Sequence, residues 1–185
     1  MGAVERRTDK FERDTPIEDG CMGLVHFVDG TQLFLQCDLD MKGASFQFFL
    51  RGTEGMMEVN ETSCRTIGAG SGAWVNHDLG VPAEQIDVIG GKANGRQTQE
   101  LLEWIDGGLE HRCAATTARD TVEIMMALEE SARRHQAVHM PLTEKGYPLA
   151  LMIDEGQLPV QVEGRYDIRG YLNREDADEA QYAEL

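Results

Sequence analysis

The stretch from Gly20 to Glu61 constrains the fold most, because its turn residues and its alternation leave room for little but short strands. Met22–Val28 runs into Asp29-Gly30, a dipeptide suited to the positive φ angles of a tight hairpin turn. Gln32–Asp40 follows, then a Lys42-Gly43 turn, Phe46–Arg51, a Gly52–Gly55 turn, and Met56–Asn60. Alternate side chains of a strand face opposite ways. Leu33, Leu35, Cys37 and Leu39 therefore share one side with Phe46, Phe48 and Leu50. Phe34, Gln36, Phe49 and Arg51 share the other, which is mixed in character. The expectation is a four-strand meander with one core-facing side.

Two helices are expected after it. Thr98–Asp106 carries Leu101, Leu102 and Ile105 and stops at Gly107-Gly108. The second is the stronger: Thr117 and Asp120 resemble a capping box, and Thr121, Ile124, Met125, Leu128 and Ala132 recur at helical spacing. Fully burying Ile124, Met125 and Leu128 is worth roughly 1.5–3 kcal/mol each. Glu129, Glu130, Arg133 and Arg134 are assigned to the wet side, and the apolar stripe to the Leu33/Leu35/Phe46/Phe48 face. Leu149–Ile153 suggests one more helical turn. These elements predict an α+β fold: an open, mostly antiparallel sheet with helices packed on one face, in two layers. Residues 1–153 are read as one domain, and residues 154–185, acidic and without sustained period, as an arm on a partner or a frayed tail.

Charge narrows the partners. Thirty-three Asp and Glu against seventeen Lys and Arg give a formal net charge of −16, which repels phosphate backbones and anionic bilayers. Neither nucleic acid nor membrane is expected, and no apolar run reaches the roughly 20 residues of a span. The start has no apolar segment of the secretory kind. The four cysteines (Cys21, Cys37, Cys64, Cys113) are widely spaced, with no Cys-x-x-Cys pattern, which disfavours zinc, and Cys37 reads as a packing residue. Free thiols without a leader point to the cytoplasm.

Gly68-Ala69-Gly70-Ser71-Gly72-Ala73 satisfies the dinucleotide pattern on paper. Gly80 and Pro82 follow it without helical period, so it is read as a glycine turn. Arg7, Arg13, Glu18 and Asp19 are the candidates for a polar, substrate-facing pocket at the sheet edge. No metal ligand set, nucleophilic triad or catalytic residue emerges.

The order of motifs resembles a known family. Phe27-Val28-Asp29-Gly30 stands ahead of Gly52–Val59, then Ala118–Arg134, then Val138-His139-Met140-Pro141-Leu142. Over residues 1–153 this resembles the C-terminal domain of the Gfo/Idh/MocA oxidoreductases, the glucose–fructose oxidoreductase and inositol dehydrogenase family. The resemblance implies an open sheet whose free face serves as a subunit interface, placing Phe34, Gln36, Phe49 and Arg51 there. It implies NAD(P) and a sugar or polyol substrate for the intact enzyme. The family's Glu-Lys-Pro and Asp-x-x-x-His motifs have no counterpart: Glu144-Lys145-Gly146 differs and stands near the end, and His111 follows Asp106 by five. No catalytic or cofactor-binding residue is carried over, and the expectation is a chain without the family's Rossmann domain ahead of Met1. The expectation is a substrate and oligomerisation domain, inactive by itself and binding no cofactor alone, that forms a homodimer or larger homo-oligomer through its sheet. The alternative is a stand-alone assembly module, which pairs through its sheet or docks on a separate Rossmann subunit.

Overall fold

The computed structural model describes residues 1–38, 47–60, 62–80 and 91–168. The chain divides into two compact units, Met1–Met41 with Thr116–Leu185, and Lys42–Ala115. The described elements are three helices and three open, mostly antiparallel sheets, an α+β architecture.

The first unit holds two of the sheets. β1 (Gly2–Glu5), β4 (Gly20–His26) and β5 (Gln32–Asp38) form one, in the order β1-β4-β5, with both pairings antiparallel. The β4–β5 connection is a three-residue loop rather than the two-residue turn expected. Phe27 N–H donates to Thr31 O at 2.9 Å, Gly30 takes φ 88°, and Asp29 Oδ1 accepts the Thr31 N–H. Only a residue without Cβ takes that φ at no steric cost. The polar stretch from Thr8 to Asp19 is itself a hairpin, β2 (Asp9–Glu12) and β3 (Thr15–Ile17), turning at Arg13 with φ 57°. The segment after Asp154 folds back on this unit. The Gln161 and Val162 N–H groups donate to Arg7 O, and β10 (Arg165–Asp167) pairs parallel with β2.

Helix α2 (Ala115–Arg134) covers the β1–β4 side, seated by two glycines. A methyl group on Gly2 would collide with the Leu128 carbonyl, and one on Gly23 with the Leu128 side chain and the Met1 carbonyl. Ser131 fixes the crossing: its Oγ accepts the Gly2 N–H at 3.0 Å and donates to Gln136 O at 2.6 Å. Gly2→Ala and Gly23→Ala should therefore each cost roughly 1–3 kcal/mol in chemical denaturation, since the helix must lift to admit one carbon. The core beneath is small: Ala132, Leu149 and Met152, flanked by Val4, Tyr147, Ile153 and Leu158. Leu149 and Met152 come from α3 (Pro148–Asp154), where proline opens the helix, its missing N–H costing nothing at that position.

Three expectations about α2 need correction. The helix begins at Ala115, so Thr117 is not its cap; its carbonyl accepts the Thr121 hydroxyl one turn on. Thr121 and Met125 are exposed, and burial is confined to Ala127–Ala132. Glu129 and Glu130 lie inside, not on the wet side. Glu130 is enclosed because Arg133 and Arg134 neutralise it, at 2.7 and 2.5 Å, while Arg133 also reaches Glu155 beyond the end of α3 at 2.7 Å. Those arginines hold the Glu130 carboxyl below its usual range.

The second unit contains the sheet β6-β7-β8-β9: β6 (Gln47–Gly52), β7 (Gly55–Asn60), β8 (Cys64–Gly68) and β9 (Val75–His77), all antiparallel. Its cross-strand pairs are polar as well as apolar. Arg65 bonds Glu58 at 2.6 Å and stacks 4.6 Å from the Trp74 ring. α1 (Gly91–Ile105) starts earlier than expected and stops where Gly107 takes φ 88°. Arg112 ties back to Glu100. The single meander is thus corrected. β5 pairs with β4, β6 pairs with β7, and the two belong to different sheets. Leu39, the Lys42-Gly43 turn and Phe46 lie outside the described residues. Phe48 and Leu50, expected in the core, are 52% and 56% exposed.

Candidate functional site

Of the four residues expected to line a pocket, two are engaged in a buried lock. The Asp19 carboxylate sits at the entry to β4. Its Oδ2 accepts the Arg7 and Thr8 N–H groups at 2.6 and 2.8 Å, and its Oδ1 accepts Thr8 Oγ1 at 2.9 Å and meets Lys10 Nζ at 2.6 Å. Thr8, Lys10 and Asp19 are all buried. Burial pushes the Asp19 carboxyl up, but the hydrogen bonds from Lys10 and Thr8 outweigh it and hold the group below the usual range. The lock ties the β1–β2 corner to β4. Every Asp19 lone-pair direction is taken, so it is a structural acceptor rather than a group that meets ligand. The Arg7 backbone joins this lock, Arg13 stands exposed at the hairpin tip, and Glu18 is half-buried.

A second cluster was not foreseen. Glu129, 3% exposed, receives the Leu149 backbone N–H, which substitutes for the side-chain cap that Tyr147 does not give α3. Its Oε2 has no hydrogen-bond partner. Burial and the neighbouring Glu18 charge raise the Glu129 carboxyl to about 7. The same pair of acids acts on two more groups. Burial, then Glu129 and Glu18, raise the Tyr147 hydroxyl, which donates to Pro16 O at 3.3 Å. Burial, then Glu129, Glu18 and Cys37, raise the Cys21 thiol to about 11. An acid inside a helix of alternating charges is read from sequence as solvated. Only the packing of α3 against α2 reverses that.

One concave feature of this unit lies beside the β2–β3 hairpin. A cleft of about 360 Å³ is lined by Arg6, Asp9, Asp14, Asp154 and Arg165, with Phe11, Pro16, Ala150 and Ile153 as its apolar wall. Arg6 is held from two sides, by Asp9 Oδ1 at 2.5 Å and by Leu158 O at 3.0 Å. Arg165 lies 4.1 Å over the Phe11 ring. None of Arg7, Arg13, Glu18 and Asp19, named from sequence for a sheet-edge pocket, lines this cleft. Arg6 and Asp14, the chain neighbours of Arg7 and Arg13, line it from the β1–β2 connection and the β2–β3 turn.

On the far side of the β1-β4-β5 sheet, Met22, Leu24 and Phe34 are exposed, Phe34 by 66%, and Gln36 lies with them. Phe49 and Arg51 share a face of β6, also exposed. The four residues assigned to an interface are thus exposed on their strands but belong to separate sheets.

Gly68–Ala73 is a turn between antiparallel strands: Gly70 takes φ 81° and Ser71 N–H donates to Gly68 O at 2.9 Å. Strand β9 follows it rather than a helix N-terminus, so these residues do not fit a dinucleotide. Among the described residues no three His, Cys, Asp or Glu converge to hold a metal ion, and no helix is long and apolar enough to cross a membrane. Comparison with protein-family models, with curated proteins and with solved structures returned no match.

Proposed function

We propose that this chain is the substrate-binding and oligomerisation part of an NAD(P)-dependent sugar or polyol oxidoreductase, with the nucleotide held by another domain or subunit. The reading rests on the ordered motifs that resemble the Gfo/Idh/MocA C-terminal domain. The observation that carries it furthest is the β1-β4-β5 sheet, roofed by α2 on one face, with Met22, Leu24 and Phe34 exposed on the other among the described residues. An exposed apolar row on a sheet is the mark of a surface that pairs. A second copy of the chain is the partner the family resemblance implies.

The cleft beside the hairpin suits a polyhydroxylated ligand. Carboxylates accept from hydroxyl groups, guanidinium groups donate to them, and an apolar wall meets the C–H face of a sugar. In this reading the chain supplies pocket walls and no catalytic group.

Sedimentation equilibrium tests the assembly. The native chain should associate into a dimer or larger species, and Phe34→Glu should leave it monomeric with an unchanged far-ultraviolet spectrum. A chain that stays monomeric at high concentration, or binds NAD(H) by itself with micromolar affinity, would contradict the proposal.

A further inference from the structure

Cys21 and Cys37 are directly opposed in the β4–β5 pair, and both are free thiols. Opposed residues in antiparallel strands point to the same face. The hydrogen bond from Phe27 N–H to Thr31 O fixes which opposed pairs exchange backbone bonds. Counting back by twos through Val25–Leu33 and Gly23–Leu35, Cys21–Cys37 is one of them. Such a pair holds its Cα atoms about 5.5 Å apart, within the roughly 4.4–6.8 Å that a disulfide spans. The Cβ atoms, at about 4.5–5.5 Å, must close toward about 3.8 Å. A bond can form there without separating the strands, and the closure it demands leaves it strained and readily reduced. Access is unequal: Cys37 is exposed, while Cys21 is half-buried on the side where Gly23 meets Leu128.

We propose that Cys21 and Cys37 form a reversible thiol–disulfide pair, oxidised by a peroxide that reaches Cys37 from solvent. The Cys37 thiolate attacks one peroxide oxygen; the O–O bond breaks, and hydroxide leaves as Cys37 becomes a sulfenic acid. The Cys21 thiolate then attacks the Cys37 sulfur. The S–S bond forms, the S–O bond breaks, and the departing hydroxide is protonated to water. Two thiols lose two electrons, the peroxide becomes two waters, and a dithiol reductant reverses the change. Exposure puts Cys37 first. Burial, with the Glu129 and Glu18 charges, disfavours the Cys21 thiolate, so the second step slows as the pH falls.

The full chain treated with hydrogen peroxide, alkylated and digested with trypsin tests this. The fragment Asp14–Lys42 contains both cysteines and no internal Lys or Arg, while Cys64 and Cys113 fall in other fragments. Expected is that fragment, unalkylated and lighter by two hydrogens, reverting with dithiothreitol. Its formation from the sulfenic acid should quicken about tenfold per pH unit on the alkaline side of neutrality, as the Cys21 thiolate fraction grows. Cys21→Ser should leave a Cys37 sulfenic acid trapped by dimedone, and Cys37→Ser should leave Cys21 reduced. Linkage of Cys37 to a second chain, to Cys64 or to Cys113, or equal oxidation of Cys21 without Cys37, would overturn the proposal.

Discussion

Replacing Asp19 with alanine should cost about 3–5 kcal/mol, a large part of the roughly 5–15 kcal/mol that holds a typical domain together. The loss arises from what is left behind. Lys10 Nζ, buried and 2.6 Å from its counter-charge, becomes a lone ammonium in a poorly solvated site, and the Arg7 and Thr8 N–H groups lose their acceptor. Removing both charges while keeping an acceptor, with Lys10→Met and Asp19→Asn together, should cost clearly less than Asp19→Ala alone. Urea denaturation of the three proteins measures the difference; equal losses would show that the buried charge is not the cause. The pH dependence has a definite sign. The Asp19 carboxyl sits below its ordinary 3.8, so its contribution is complete above that value and disappears as the pH falls through the lower, folded value.

Glu129→Gln should have the opposite sign and raise stability in alkaline solution. Folding lifts the Glu129 carboxyl from 4.5 to about 7, so between those values the folded chain holds a proton that the unfolded chain releases. Stability falls with rising pH across that window and levels off above it. The difference, at 1.36 kcal/mol per pH unit, amounts to about 3 kcal/mol. Glutamine keeps an oxygen for the Leu149 N–H and carries no charge to repel Glu18. The variant should therefore match the native chain near pH 4.5 and exceed it by about 3 kcal/mol at pH 8. Denaturant midpoints across that range check it; a variant no more stable than the native chain at pH 8 would place the carboxylate in a solvated position.

Much of the secondary structure was legible because strand and helix periods are local. The alternation of Gln32–Asp38 located β5, and its Phe34/Leu35 sidedness held, with Leu35 half-buried and Phe34 exposed. The run Leu149–Ile153 located α3, and Gly107 located the end of α1. The candidate site was legible only as a neighbourhood. Arg7 and Asp19 were singled out for polar chemistry, yet they meet in a closed lock. The cleft uses Arg6 and Asp14, one place away, which lie in the β1–β2 connection and the β2–β3 turn, where no strand period marks the facing side.

The sequence by itself located β5, α3 and the end of α1, and determined a formal net charge of −16. Tertiary structure alone decided which face of α2 is inside. A helical stripe of Ile124, Met125 and Leu128 argued for one side, but Glu130 is buried with Arg133 and Arg134 beside it, and Glu129 caps α3. Burial of a charge depends on the partner that meets it, and Arg133 reaches from α2 across to Glu155 beyond α3, a pairing between elements that no local period encodes.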